Sequence, residues 1–314
     1  STIALPAQWA ELLAPGSVRC QHRGGEILGV ARLASEPPLR AKFFVWPSGD
    51  SAARRQIRML QALRHTGTVP RLLDHQTLLG TTFVLTASPG VEMLDALIWE
   101  RHTEEPRDGG PVVPLPTALP LMVDLLRGLE EAERLGVVHS GLTEQTIYVT
   151  GDGHAVVEDL RGACLSNSTD HDVACSPSLH NAFLRQAPEA ADGLPSKVSN
   201  NVWQLGLVFA SMLFGDFVPW AGVDWDDLSE EEVWEMRSFV QNEFSVWTMA
   251  QSERLHSTYR DIVELVAGML ERDTEDRLTA EAASHMAKRI AETRGIPVPT
   301  EALWRRAGAP GGLP

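Results

Sequence analysis

The sequence predicts an α+β chain in two lobes, a small β-rich lobe with one main helix followed by a larger helical lobe. Three observations carry that prediction. In the first hundred residues, short apolar runs rich in aromatic and β-branched residues, AKFFVW (41–46) and TFVLTA (82–87), frame a single helical stretch from Ala52 to Leu63. Beyond Thr117 the apolar residues recur at helical spacing instead. The segment VWQLGLVFASMLFG (202–215) is apolar nearly all round, which requires a centrally buried helix. At 314 residues the chain exceeds one compact domain and falls short of two full enzymes, so the lobes are read as parts of one fold. The expected divisions are 1–90 for the β-rich lobe, 91–116 for a hinge and flexible connection, 117–296 for the helical lobe and 297–314 for a tail.

Each element has a local reason. The connection holds ERHTEEPRDGGPVVPLP, polar and punctuated by Pro and Gly. Thr117 is the expected N-cap of a helix whose Leu121, Met122, Leu125, Leu126 and Leu129 share one face and which Gly136 ends. TIYVT and HAVVED flank Gly151-Asp152-Gly153, a hairpin signal inside an otherwise helical half. In DWDDLSEEEVWEM (224–236) the acidic charge lies at an expected helix start, where the helix dipole favours it. That stretch reads as a solvated cap or, with Trp220, Trp225 and Trp234 nearby, as an interface anchor. YRDIVELVAGML and TAEAASHMAKRIAETRG supply two further helices before a tail rich in Gly and Pro.

Composition narrows the partners. Forty-two acidic against 27 basic residues give a net charge of −15, which repels phosphate backbones and anionic lipid. Nucleic acid is therefore not an expected partner. No apolar run reaches about 18 residues, so no membrane insertion is expected, and the opening STIALPAQWAELL lacks the regions of a signal peptide. Cys20, Cys164 and Cys175 form neither a disulfide framework nor a spaced metal site. They read as three unrelated thiols, or as one free thiol plus a Cys164–Cys175 pair in an oxidising compartment, a cross-link that contributes up to ~3 kcal/mol.

Several local patterns bear on chemistry. Ala41-Lys42 in LRAKFFV places a Lys on a strand, by itself an ordinary edge residue. The helix RRQIRMLQALRH carries Gln56, the segment HSGLTEQTI begins at His139, and Asp159-Leu160-Arg161 follows the hairpin. QAPEA holds Ala187-Pro188-Glu189, NNVWQLG holds Asn201, Trp203 and Gly206, and DTEDRLTAEAA holds Arg277. HRGGEILGVA offers Gly24 and Gly29 with Glu26 between them, an ordinary turn or a damaged glycine-rich loop.

Together with the element order, these patterns resemble the eukaryotic protein-kinase fold from about Ser17 to Ile290. The resemblance implies that Lys42 binds nucleotide phosphates, that Asp159 chelates magnesium, and that Glu189 and Arg277 form a salt bridge supporting the larger lobe. His139, Leu142 and Ile147 match the catalytic loop. Gly141, however, stands where the family's Asp accepts the substrate proton, Thr146 where an Asn holds metal, Ser140 where an Arg receives phosphate, and Gln56 where a Glu pairs with the Lys. Asn201 takes the place of an Asp that braces the catalytic loop.

The resemblance thus implies a pseudokinase with no catalytic residues and no cofactor. Lys42 and Asp159 are then vestigial cofactor-binding positions and His139, Glu189, Arg277 and Trp203 structural ones. Such a chain acts as a scaffold or allosteric partner for proteins not yet named. It is most similar to the secreted kinases and pseudokinases that coccidian parasites release from rhoptries and dense granules, which implies secretion into the parasitophorous vacuole or cyst. The rival reading is a divergent nucleotide-dependent transferase that uses Lys42 and Asp159, with Glu158 or Glu144 in new roles. Small-molecule kinases of the aminoglycoside type share the fold core but also need the Asp that Gly141 displaces.

Overall fold

A computed structural model describes residues 5–23, 26–34, 40–47, 50–88, 90–103, 109–166, 185–191, 197–215, 229–244, 248, 255 and 257–298. Five antiparallel strands build the first sheet: β1 (Arg19–Arg23), β2 (Glu26–Arg32), β3 (Arg40–Pro47), β4 (Arg71–Leu78) and β5 (Thr81–Ser88), in the spatial order β1-β2-β3-β5-β4. Its central strand β3 is buried on both faces. Successive side chains on a strand point to opposite sides, so Ala41, Phe43 and Val45 enter one apolar cluster with Trp9, Phe83 and Leu85 while Phe44 and Trp46 enter the main core. This explains why AKFFVW is a continuous apolar run.

Trp9 belongs to the short helix α1 (Trp9–Leu12), which covers the outer face of the sheet; its indole N–H donates to Asp74 Oδ2 at 2.7 Å. The inner face takes α2 (Ser51–Ala62), started by Asp50, whose Oδ1 accepts from the backbone of Ala52 and Ala53. Gly29 lies in β2, not in a loop. Facing Phe43 across the ladder, it leaves the space its ring fills: a Cβ there would stand 1.8 Å from that ring. The reading of Gly29 as a loop glycine is thereby corrected; Gly24 lies outside the described residues.

After β6 (Gly90–Met93) and α3 (Leu94–Thr103), the helical lobe begins with α4 (Leu115–Arg134). This helix starts two residues before Thr117. Pro116 sits at its first turn, where a missing N–H costs nothing, and Pro114 takes the N-cap position. The expected end holds, with Gly136 at φ 68° just past the helix. β7 (Val137–Val138) pairs with β10 (Cys164–Leu165), and β8 (Ile147–Thr150) and β9 (Ala155–Val157) form the expected hairpin, extended by β6 into a three-stranded sheet.

Cys164 is disulfide-bonded and Cys20 is free and exposed, whereas Cys175 lies outside the described residues, as do Trp220, Trp225 and the acidic stretch 224–228. The tail 299–314 lies outside them too.

The remaining described helices are α5 (Pro188–Ala191), α6 (Ser199–Phe214), α7 (Glu230–Asn242), α8 (Arg260–Met269) and α9 (Ala280–Thr293). Every residue of α6 from Asn200 to Phe214 is buried, so it is the central spine of the lobe. At Gly206 it approaches α8 closely, a Cβ there meeting Leu270 at 3.0 Å and Met269 at 3.1 Å. Helix α7 opens on a capping box between Ser229 and Glu232. Among the described residues, no helix is long and apolar enough to cross a membrane.

Candidate functional site

The site grows out of β3, α2 and the segment that leaves β9. The alternation of β3 turns Lys42 toward the same side as Phe44, where it is 8% exposed. Its ammonium donates to Glu158 Oε2 at 3.4 Å and lies 5.5 Å from the centre of the Phe44 ring and 5.4 Å from that of Tyr148. Arg40, two residues earlier and so on the same face, pairs with the other oxygen of Glu158 and stacks 4.3 Å over Tyr148.

Glu158 directly follows β9, is fully buried at its side chain, and is fixed through its own N–H to the carbonyl of Thr146 at 2.9 Å. Lys42 thus has a carboxylate partner although α2 offers only Gln56 at the position of the family's Glu. The pairing charge comes from Glu158, one residue before Asp159, and not from α2.

Gln56 has another task. Its Oε1 accepts the backbone N–H of Leu160 at 2.9 Å, while Arg55 Nε donates to the carbonyl of Arg161 at 2.8 Å, so one turn of α2 grips the Asp159-Leu160-Arg161 segment twice. Desolvation lowers the Arg55 pKa.

Asp159 is clamped by Arg161. Nε donates to Oδ1 at 2.9 Å and to Oδ2 at 3.1 Å, Nη2 to Oδ2 at 2.6 Å, and the Arg161 N–H to Oδ1 at 3.0 Å. Burial opposes the charge of Asp159, but the Arg161 hydrogen bonds and charge, helped by Lys42, prevail and bring its pKa down to about 2. Asp159 is an ionised carboxylate.

The segment from His139 is held from beneath by α6. Asn201 Oδ1 accepts the His139 N–H at 2.7 Å and its amide donates to the Val137 carbonyl at 2.8 Å; Gln204 Oε1 accepts the N–H of Leu142 at 3.3 Å. Burial pushes the His139 pKa down to about 4 against the nearby charge of Asp159, so the ring is neutral at pH 7. Its Nδ1 accepts the Gly141 N–H at 3.2 Å, which leaves the proton on Nε2. Ser140 has φ 56°, a left-handed conformation that bends the chain ahead of Gly141.

The nearest atom to a Cβ built at Gly141 would be His139 Nδ1, at 3.7 Å, so a Cβ meets only ordinary van der Waals contact there. Thr146 spends its hydroxyl on the loop, donating to the carbonyls of Gly141 at 2.9 Å and Thr143 at 3.0 Å while accepting the N–H of Thr143.

These residues do not fit a magnesium ion. Both oxygens of Asp159 are taken by a guanidinium, the Thr146 hydroxyl is committed to its own loop, and no group of three or more His, Cys, Asp or Glu among the described residues gathers as a metal site.

Two features of the helical lobe were not all foreseen. Glu189 and Arg277 form a bidentate pair at 2.7 and 3.0 Å, with the guanidinium 5.1 Å over the Trp203 ring and Ser199 donating to Glu189. Glu144 is bound to Arg185 at 2.6 Å, a buried pair that sequence reasoning missed. The only sequence signal for Arg185 is a lone cation just ahead of Gln186-Ala187-Pro188. Burial, and then Glu144, raise the pKa of Asp95 at the start of α3.

No family model matches the chain. It is 23% identical over 276 residues to a probable cyclin-dependent serine/threonine-protein kinase of Dictyostelium discoideum, a match that covers 82% of this chain and 41% of that protein. It is 22% identical over 183 residues to 3-phosphoinositide-dependent protein kinase 1 of Arabidopsis thaliana, covering 55% and 35%, and 28% identical over 98 residues to the stress-activated protein kinase JNK of Suberites domuncula, covering 31% and 26%. The fold is protein-kinase-like.

The chain spans about two fifths of the length of the first of these relatives and less of the others. All three carry kinase names, which overturns the expectation that this kinase-like chain is not an enzyme. The physical reason is that phosphoryl transfer depends mostly on positioning and charge stabilisation, so a missing base does not by itself abolish it. The finer likeness to secreted coccidian proteins gains no support from these relatives.

Proposed function

We propose that the chain is a divergent, nucleotide-dependent phosphotransferase of low turnover that holds phosphate groups on Lys42 and Arg40. One observation carries this reading: Glu158 holds an ammonium and a guanidinium side by side on one face of β3, against the Tyr148 ring. An electrostatic clamp of that kind is what a transferring phosphoryl group requires. Loss of a general base lowers the rate by about 10² to 10⁴ and leaves the electrostatic part in place. The kinase names of the relatives support the reading, and Gly141 accounts for the low turnover.

The test is a thermal-shift titration with ATP beside an assay for transfer of labelled γ-phosphate. A ligand that binds only the folded chain raises its melting temperature. The expected result is an ATP-dependent shift and slow labelling, both lost in Lys42→Ala; no shift at millimolar ATP would rule the proposal out.

A second reading, in which the chain also docks a protein, is favoured by Trp234 on α7. This side chain is 63% exposed with the Arg237 guanidinium 5.1 Å from its ring, a pairing common at interface hot spots.

A further inference from the structure

We infer that Arg161 stands at this site for the divalent cation a kinase-like site otherwise needs, so that nucleotide phosphates bind here without metal. The inference rests on the reading of Lys42 as a phosphate ligand. In metal-dependent sites of this fold the carboxylate at the position of Asp159 is neutralised by the ion it chelates. Here its neutralising charge is part of the chain.

The guanidinium reaches both oxygens of Asp159, from Nε to Oδ1 at 2.9 Å and Oδ2 at 3.1 Å and from Nη2 to Oδ2 at 2.6 Å. A planar, permanently charged fork in that geometry is a strong competitor for a carboxylate, and an incoming ion would have to displace it.

The clamp is also held in place from outside. Arg55 binds the Arg161 carbonyl, Gln56 binds the Leu160 N–H, and the Phe44 ring lies 6.0 Å from the guanidinium. That same ring lies 5.5 Å from the Lys42 ammonium, so one aromatic ring neighbours both cations.

Charge completes the case. Among the described residues, Arg40 and Lys42 pair with Glu158 and Arg161 pairs with Asp159, so each carboxylate of the cluster has a cation of the chain against it. Carboxylates already paired with cations of the chain repel an incoming phosphate less than two bare carboxylates would, with no added ion. Thr146, its hydroxyl given to the loop carbonyls, contributes no second metal ligand.

The experiment measures the thermal shift caused by ATP twice on the unchanged chain, once in excess EDTA and once in excess magnesium. The expected result is the same apparent affinity within about twofold. In Arg161→Gly, which unmasks Asp159, affinity in EDTA should fall at least about tenfold below that in magnesium, the loss of one charge-assisted contact.

If the unchanged chain responds to ATP only with magnesium, the inference fails while nucleotide binding stands. No response under either condition removes both together. An Arg161→Gly chain that still binds equally well without magnesium overturns the assignment to Arg161. Should that variant not fold, the comparison on the unchanged chain decides alone.

Discussion

At the scale of single residues, the site is a set of exchanged partners. Lys42 keeps a carboxylate, but from Glu158; Asp159 keeps a cation, but from Arg161; Gln56 gives its amide oxygen to the Leu160 backbone. Glu158→Gln should therefore be severe, because it leaves Arg40 and Lys42 facing a neutral group in a buried place. Removing one partner of a buried pair costs roughly 3–5 kcal/mol, which urea denaturation would read as a lower midpoint.

Gly141→Asp tests the reverse change. A Cβ is accommodated there, 3.7 Å from the nearest atom, and restoring a proton acceptor should raise γ-phosphate transfer by about 10² to 10⁴. An unchanged rate in a folded variant would mean that substrate does not meet residue 141.

Asp159 also sets an acid limit. Its pKa is depressed in the folded state, so its contribution is complete above its ordinary value of 3.8 and is lost as pH falls through about 2. Asp159→Asn should remove that part of the acid unfolding curve.

At the scale of elements, packing decides where helices and strands stop and what they touch. Helix α4 packs on α9, and Glu133 lies in that contact, accepting a backbone hydrogen bond from Ala280. Burial raises its pKa to about 7, the hydrogen bond opposing and Glu130 assisting the shift.

The sign follows from the raised value. The folded state favours the protonated acid, so the contribution is complete below the unfolded value of 4.5 and is lost as pH rises through about 7. Glu133→Gln should flatten the decline in melting temperature between those pH values; an unchanged slope would place the titrating group elsewhere. Gly206→Val makes a complementary test of helix approach. Its side chain would crowd Leu270 and Met269, and overpacking of this kind costs about 1–3 kcal/mol.

For the whole molecule, the Glu189–Arg277 pair ties the short helix α5 to the segment before α9, stacked on Trp203 of the spine. Arg277→Ala removes a buried guanidinium from a half-buried carboxylate and should lower the urea midpoint, while leaving the ATP affinity of the molecules that remain folded unchanged. An equal loss of affinity would show that this pair and the Lys42 site are coupled. The same separation of scales governs legibility. AKFFVW, the hairpin around Gly151-Asp152-Gly153 and the apolar helix α6 were readable because strand period, turn chemistry and all-round hydrophobicity are local properties. The cover by Trp9 was not readable, since nothing in STIALPAQWAELL says which sheet face needs a lid.

The sequence by itself determined the two-lobe layout, the elements with a strong local signal, and which residue types occupy the kinase-like positions, Gly141 and Lys42 among them; it read the stretch that holds α3 (Leu94–Thr103) as a flexible connection. Only the tertiary structure decided the pairings. Glu158 lies 116 residues from Lys42, Arg185 lies 41 from Glu144, and Gln56 lies 104 from Leu160. An ion pair or hydrogen bond depends on distances of a few ångströms between side chains. Chain separation of that size leaves those distances open until the sheet, the hairpin and the buried helix have packed.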